Sequence, residues 1–192
     1  FNVNGWLKEN GYLATTDLTL AKEKGFLLDM DWSKTKAYAV GLSSMYLNLQ
    51  GRESRGIVTA AEQDALLAEI HDKLLQVKDP ATGSPVLSHV YTKADYKGEA
   101  MADAPDVSLG FSPYYQMNKS CALGYVGGVL FSPNEDKWSG EHAASDMASC
   151  PGVLFANKPI ENESPTILDI GPTVLKYLDR DIPSDFEGKN LV

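Results

Sequence analysis

The sequence predicts an α/β fold, and three observations carry that prediction. Short apolar runs rich in β-formers alternate along the chain with segments of helical periodicity. One segment, residues 60–77, has a helix start signal, an apolar stripe and a stop signal in the right order. Of 192 residues, 43% are hydrophobic and 22% charged, the composition of a chain that folds around a core. The length suffices for one domain, or for one domain and a small extension. No internal repeat or Ser/Gly linker divides it, and no apolar run approaches the length of a bilayer-spanning helix.

Residues 2–10 read as a short helix with Val3, Trp6 and Leu7 on one face, stopped by Asn10-Gly11. Residues 16–24 read as a second, capped by Thr16 or Asp17. Residues 37–41 and 45–49 are strands by composition, and 51–56 form a charged, glycine-bounded loop. In the 60–77 helix, Thr59 is the N-cap and Glu62 completes a capping box. Ala60, Leu66, Leu67, Ile70, Leu74 and Val77 form its stripe, and Asp79-Pro80 ends it before a turn at 81–85. Residues 86–91 and 106–111 are strand candidates, and the apolar runs 129–131 and 152–155 suit short buried strands. Between those runs, residues 132–149 are polar and irregular. Residues 167–178 read as a final helix with Pro172 in or near its first turn, and 179–183 as a turn. Long ordered loops in so small a domain are functional or pack on another part of the protein.

The 17 Lys and Arg against 26 Asp and Glu give a net charge of −9, and only Arg52, Arg55 and Arg180 are arginines. Binding to a nucleic-acid backbone needs a basic face, and here the lysines are scattered among acids. An acidic domain can still hold a cation or a metal-bound anion locally. The two cysteines, Cys121 and Cys150, lack CxxC spacing. They are either two small buried hydrophobes or one disulfide, and a bridge would place the chain in an oxidising, extracytoplasmic compartment. The chain opens on Phe1 without the basic-then-apolar pattern of a signal peptide, so a processed or excised chain is expected.

Three histidines are available for chemistry. His71 lies on the polar side of the 60–77 helix and reads as a solvated surface residue. His89 alternates with Leu87 and Tyr91, so it is expected on their face as a packed or half-buried structural histidine. His142, in Trp138-Ser139-Gly140-Glu141-His142, lies in a polar loop between two apolar runs. On spacing alone it is either a metal ligand beside Glu141 or a hydrogen-bonded loop histidine. There is no G-x-S-x-G elbow, P-loop or dinucleotide-binding glycine fingerprint, and Gly124-Tyr125-Val126-Gly127-Gly128 reads as a loop.

Several stretches together resemble, in order, the C-terminal part of the alkaline phosphatase superfamily, in its type I phosphodiesterase/nucleotide pyrophosphatase branch. They are Asn4-Gly5-Trp6-Leu7-Lys8-Glu9-Asn10-Gly11-Tyr12-Leu13, Asp31-Trp32-Ser33-Lys34-Thr35-Lys36-Ala37-Tyr38 and Tyr46-Leu47-Asn48-Leu49-Gln50-Gly51-Arg52-Glu53. Asp79-Pro80-Ala81-Thr82-Gly83, the 138–142 loop and Pro151-Gly152-Val153-Leu154 follow. Asp169-Ile170-Gly171-Pro172-Thr173-Val174-Leu175 and Ile182-Pro183-Ser184-Asp185-Phe186-Glu187-Gly188-Lys189 complete the series. The resemblance spans essentially the whole chain.

The resemblance implies the C-terminal part of a three-layer α/β/α fold with long irregular loops, residues 1–192 being the later segment of one catalytic domain. It implies a phosphohydrolase with two divalent metals, usually zinc, acting on a phosphate-ester small molecule. His142 matches the family's late metal-ligand histidine, and Glu141 stands where many relatives have Asp, with an orienting role for the ligand. The nucleophile and the other ligands are implied in an N-terminal part with no match here, so this chain alone is expected to be inactive. Asn48, Gly51 and Arg52 are expected to shape a turn, Trp32 and Tyr38 to pack as core or interface aromatics, and Pro172-Thr173 to start or kink the last helix. A non-catalytic binding or scaffold module of the same fold, or a sulfatase or phosphomutase relative, is the alternative. An exposed apolar edge or face, with oligomerisation through it, is expected of such a segment.

Overall fold

A computed structural model describes residues 1–16, 26–135, 137, 146–160 and 162–192, which form two compact units, Phe1–Cys150 and Pro151–Val192. The expected helix at 16–24 lies, apart from Thr16, outside the described residues.

The first unit is a mixed α and β structure built on a four-stranded sheet. The strands are β1 (Ala37–Ala39), β2 (Ser44–Leu47), β3 (Leu87–Thr92) and β4 (Val107–Phe111), in the order β1-β2-β4-β3. Every neighbouring pair is antiparallel, with Tyr38 opposite Tyr46, Met45 opposite Val107 and Tyr91 opposite Ser108. Helix α1 (Val3–Glu9) packs on β1 and helix α2 (Ala60–Leu75) on β3. Their apolar faces meet the inward residues Ala37, Ala39, Met45, Leu47, Leu87, Val90, Val107, Leu109 and Phe111 in one core.

Both helices start and stop where their sequences say. Asn2 caps α1 by accepting from the Gly5 amide at 2.9 Å, and Gly11 follows the last turn at φ +77°, a backbone state that suits glycine. Buried Asn4 is an unforeseen addition. Its side chain pairs with both backbone groups of Ala39, at 2.8 and 2.9 Å, and so ties α1 to the sheet. Helix α2 carries the expected capping box, Thr59 donating from N at 3.0 Å and from Oγ1 at 2.7 Å to Glu62. Leu66, Ile70 and Leu74 are its buried stripe, and burial of each such side chain is worth about 1.5–3 kcal/mol. The short helix α3 (Lys119–Ala122) is capped by Asn118.

Two expected strands do not form. In the 129–131 run Val129 is 68% exposed, while Leu130 and Phe131 lean on the core from a loop. The Leu130 carbonyl accepts from the Asn2 amide at 2.9 Å instead of joining a ladder. The 152–155 run has no strand partner, and Phe155 is 92% exposed. An apolar run becomes a buried strand only where another edge pairs with it.

In the second unit, Ile167–Asp169 form a 3-10 turn that leads into helix α4 (Ile170–Tyr177). Pro172 sits in the first turn of α4, where its missing N–H costs nothing. Thr173 Oγ1 donates to the Asp169 carbonyl at 2.6 Å and accepts from the Leu191 amide at 3.0 Å. Ile167, Leu168, Val174, Tyr177 and Leu178 of this unit are exposed.

Candidate functional site

The chemistry-bearing side chains of the first unit gather on the face of the sheet opposite the helices. Antiparallel pairing fixes which residues share it: Tyr38 with Tyr46, Tyr91 with Ser108, and His89 with Gly110. The expectation that His89 shares the face of Leu87 is overturned. A register shift between Leu87 and His89 resets the alternation, so Leu87 enters the core while His89 and Tyr91 point away from it. The two rings stack with centroids 5.4 Å apart.

Over these rings lies Asp146. Its carboxylate is fully buried and satisfied by three donors. His89 Nδ1 pairs with Oδ2, while the Tyr91 hydroxyl donates to Oδ1 at 2.6 Å and the Ala148 amide at 3.0 Å. The last bond makes Asp146 the cap of the 3-10 turn Met147–Ser149. The floor of this niche is Gly110, where a Cβ would stand 2.9 Å from the Asp146 carboxyl carbon. Burial pushes the Asp146 carboxyl up, and the bonds from Tyr91, His89 and the Ala148 amide outweigh it, holding it below the usual carboxylate range. The same Tyr91 bond, with desolvation and the negative charge nearby, pushes the phenol up to about 12.

A carboxylate that accepts from one ring nitrogen of a histidine orients the imidazole and leaves the other nitrogen for a ligand or proton. His89 is 51% exposed at its side chain, and Nε2 has no partner among the described residues. In the sequence, Asp146 follows the stretch that contains His142. Before that stretch, Phe131 packs on Phe1 with ring centroids 5.2 Å apart, and Asn118 Nδ2 donates to Ser132 at 3.4 Å. Beside Phe1 and Phe131 opens a cleft of about 740 Å³, lined by residues that include Asp79, Tyr114, Tyr115, Asn118 and Glu135. Tyr114 is fully exposed at its rim with φ +75°, a conformation that costs a non-glycine residue about 1–3 kcal/mol.

His142 and Glu141 lie outside the described residues, as does Trp138. Cys121 is buried and Cys150 exposed, and both are free thiols. Burial pushes the Cys121 thiol up to about 11, which makes it an unreactive packing residue, and Sγ accepts from the Asn4 amide at 3.3 Å. His71 is partly exposed and, among the described residues, pairs with its neighbour Asp72 at 2.9 Å. Asn48 is buried and donates to the carbonyls of Trp32, Thr35 and Arg55. Arg52 forks onto Asp106, Gly51 turns at φ +86°, and Trp32 packs edge-on against Tyr38 at 5.1 Å. These residues build the fold around the outer face of the sheet.

Sequence reasoning passed over Asp146, Tyr91 and Gly110. The alternation of His89 and Tyr91 was visible, but nothing local singles out one aspartate in an acidic chain or ties it to a strand 57 positions away. Among the described residues, no three His, Cys, Asp or Glu side chains converge as a metal site, and no helix is long and apolar enough to cross a membrane. Neither the family models, nor the curated proteins, nor the solved structures contain a match to this chain.

Proposed function

We propose that this chain is the C-terminal portion of a metal-dependent phosphohydrolase of the phosphodiesterase/nucleotide pyrophosphatase type, contributing the metal ligand His142 and part of the substrate pocket. The observation that carries the reading is the order of its motifs, with Trp138-Ser139-Gly140-Glu141-His142 placed late in an otherwise collinear series. Two structural features support it. The described residues on either side of the stretch that contains His142 are held in the first unit, Phe131 on Phe1 and Asp146 on Tyr91 of β3, and a cleft large enough for a small phosphate ester lies beside Phe1 and Phe131.

The imidazole of His142 is a donor type that suits zinc, with Glu141 beside it in an orienting role. One donor falls short of the three or four protein ligands that zinc takes, so on this reading the remaining ligands and the nucleophile are supplied from outside this chain. When bound, a pair of divalent ions stabilises both the attacking and the leaving oxygen at phosphorus. The chain's own part is to present His142 and to wall the cleft with Tyr114, Tyr115 and Asn118, whose hydroxyl and amide groups can hydrogen-bond an ester.

The test compares the 192-residue chain with the complete protein that carries it, using bis(p-nitrophenyl) phosphate and zinc. The chain alone is expected to be inactive and the complete protein active. His142→Ala in the complete protein is expected to lower zinc content and hydrolysis together. Unchanged zinc content in that variant would overturn the ligand role, and hydrolysis by the isolated chain would overturn the assignment of the nucleophile elsewhere.

A further inference from the structure

We propose that His89 is a general base on the outer face of the sheet: Asp146 holds its imidazole with the proton on Nδ1, and Nε2 takes a proton from water as that water attacks a small neutral carboxylic ester. The proposal stands on described residues of the first unit alone and is independent of the reading of His142.

The two oxygens of Asp146 have different tasks. Oδ1 accepts from the Tyr91 hydroxyl at 2.6 Å and from the Ala148 amide at 3.0 Å, and the second bond caps the turn Met147–Ser149. Oδ2 faces His89 Nδ1. The cap is complete without that contact, so its consequence lies in the ring. An ionised carboxylate can only accept, so Nδ1 carries the proton and the lone pair of the neutral ring is on Nε2. Asp146 is fully buried at its side chain while His89 is 51% exposed, and Nε2 has no partner among the described residues.

Two backbone features serve this arrangement. The register shift between Leu87 and His89 turns the imidazole out of the core, the kind of irregularity that re-aims a side chain beside an active site. At Gly110 a Cβ would stand 2.9 Å from the Asp146 carboxyl carbon, so the carboxylate fits only over a glycine. The Tyr91 ring stacks on the imidazole at 5.4 Å, and Tyr96 stands against Tyr91 at 6.1 Å, which places an aromatic wall beside the base.

The charges nearby select a neutral substrate. Asp146 and Asp95 both act on Tyr91 as negative charges. Lys93, on the neighbouring turn, is engaged by Asp106 at 3.5 Å and by the Ala102 carbonyl at 3.4 Å. An anionic ester would thus meet carboxylates here. In the step itself, the water oxygen bonds to the carbonyl carbon while its proton passes to Nε2. The bond to the alcohol oxygen then breaks, and that oxygen takes the proton from Nε2, which releases acid and alcohol and restores His89. The imidazolium formed between these events is paired with Asp146, which acts as a positioning residue.

The experiment follows p-nitrophenyl acetate hydrolysis by the complete protein at about pH 8 with a zinc chelator present, together with the thermal midpoint and the nitrogen-15 signals of the His89 ring. His89→Gln is expected to lower the rate at least about tenfold. In Asp146→Asn the amide oxygen stays at the Oδ1 position, where Tyr91 and Ala148 donate, so its NH2 faces Nδ1 and drives the ring proton to Nε2. The two ring-nitrogen signals are then expected to exchange character and the rate to fall as in His89→Gln. Tyr91→Phe leaves the Nδ1 contact in place and is expected to keep the rate within about threefold. A structural role alone would lower the thermal midpoint of Asp146→Asn and leave the rate unmoved. If Asp146→Asn fails to fold, His89→Gln at a half-exposed position decides the question by itself. An unchanged rate in His89→Gln, or a wild-type ring with its proton on Nε2, overturns the proposal. Acetyl-His89 accumulating in the mass spectrum with no solvent deuterium isotope effect overturns the general-base role by making His89 the nucleophile.

Discussion

Two buried carboxylates stand toward opposite ends of β4, and they are neutralised in different ways. Asp106, at the start of the strand, accepts a forked pair of bonds from Arg52 at 2.9 and 2.6 Å and a third from the Leu47 amide at 2.7 Å, with the Lys93 ammonium 3.5 Å away. Asp146, over Gly110, has no permanent cation among its partners in the described residues, only an imidazole, a phenol and one amide. Arg52 also donates to the Leu47 carbonyl at 2.6 Å and lies over the Tyr46 ring. Its guanidinium is held above its ordinary range, first by the bonds to Asp106. A forked charge pair locks strand to turn. A carboxylate held by neutral or weakly basic donors is adjustable, and here it is the root of the 3-10 turn Met147–Ser149 that it caps.

The largest expected effect is therefore at Asp106. Asp106→Ala strands the half-buried Arg52 and leaves the Leu47 amide without an acceptor. It is expected to cost about 3–5 kcal/mol in urea denaturation. Arg52→Lys keeps the charge but loses the fork, and is expected to cost about 1–2 kcal/mol. If removal of Asp146 costs more than removal of Asp106, the contrast between a lock and an adjustable root is broken.

Next comes the floor of the niche. Gly110→Ala drives a methyl group against the Asp146 carboxyl and is expected to cost about 2 kcal/mol, within the range for overpacking a well-filled site. In an Asp146→Ala background most of the obstructing atoms are gone, so the penalty is expected to fall by half or more in a double-mutant cycle. Equal penalties in the two backgrounds would mean that Gly110 serves the strand and not the niche of Asp146.

These two sites also mark how far the sequence could be read. The elements with local signals were legible: Thr59 and Glu62 start α2, Gly11 ends α1, and the runs around Tyr38, Tyr46, Val90 and Leu109 became strands. The failures depend on contacts between distant residues. The 129–131 and 152–155 runs were apolar enough for strands but found no edge to pair with. One register shift beside Leu87 moved His89 to the opposite face, and no single-strand pattern encodes where such a shift falls. Arg52 and Asp106 are 54 positions apart, and the Asn4 side chain reaches a strand residue 35 positions away. Of the candidate site, the sequence singled out His142 through the resemblance and read His89 as a structural histidine. The partner that organises His89 is one aspartate among many acids and becomes visible only once the sheet is folded.

The smallest expected effect is the pH signature of the adjustable root. At neutral pH Asp146→Asn is expected to cost about 1 kcal/mol, the value of a modest net hydrogen bond. The folded protein holds the Asp146 carboxyl below its ordinary value near 3.8, so its contribution is fully present above that value and is lost as pH falls through the lower folded value. The stability gap between wild type and Asp146→Asn should thus be constant from about pH 5 upward and close below about pH 4. The Tyr91 phenol reports the same contact from the alkaline side. It is pushed up to about 12 first by its bond to Asp146, so its stabilising share is intact below the ordinary value of 10.0 and lost as pH rises through about 12. Ultraviolet difference titration against Tyr91→Phe isolates this phenol from Tyr38, which burial, followed by the nearby Glu53, also pushes up to about 12. In Asp146→Asn the Tyr91 transition should move back toward 10, whereas in Asp106→Ala it should stay in place, because Asp106 has no bond to Tyr91. A Tyr91 transition that moves equally in both variants would mean that the two carboxylates act as one electrostatic unit, and the distinction between lock and root would then lie in geometry alone.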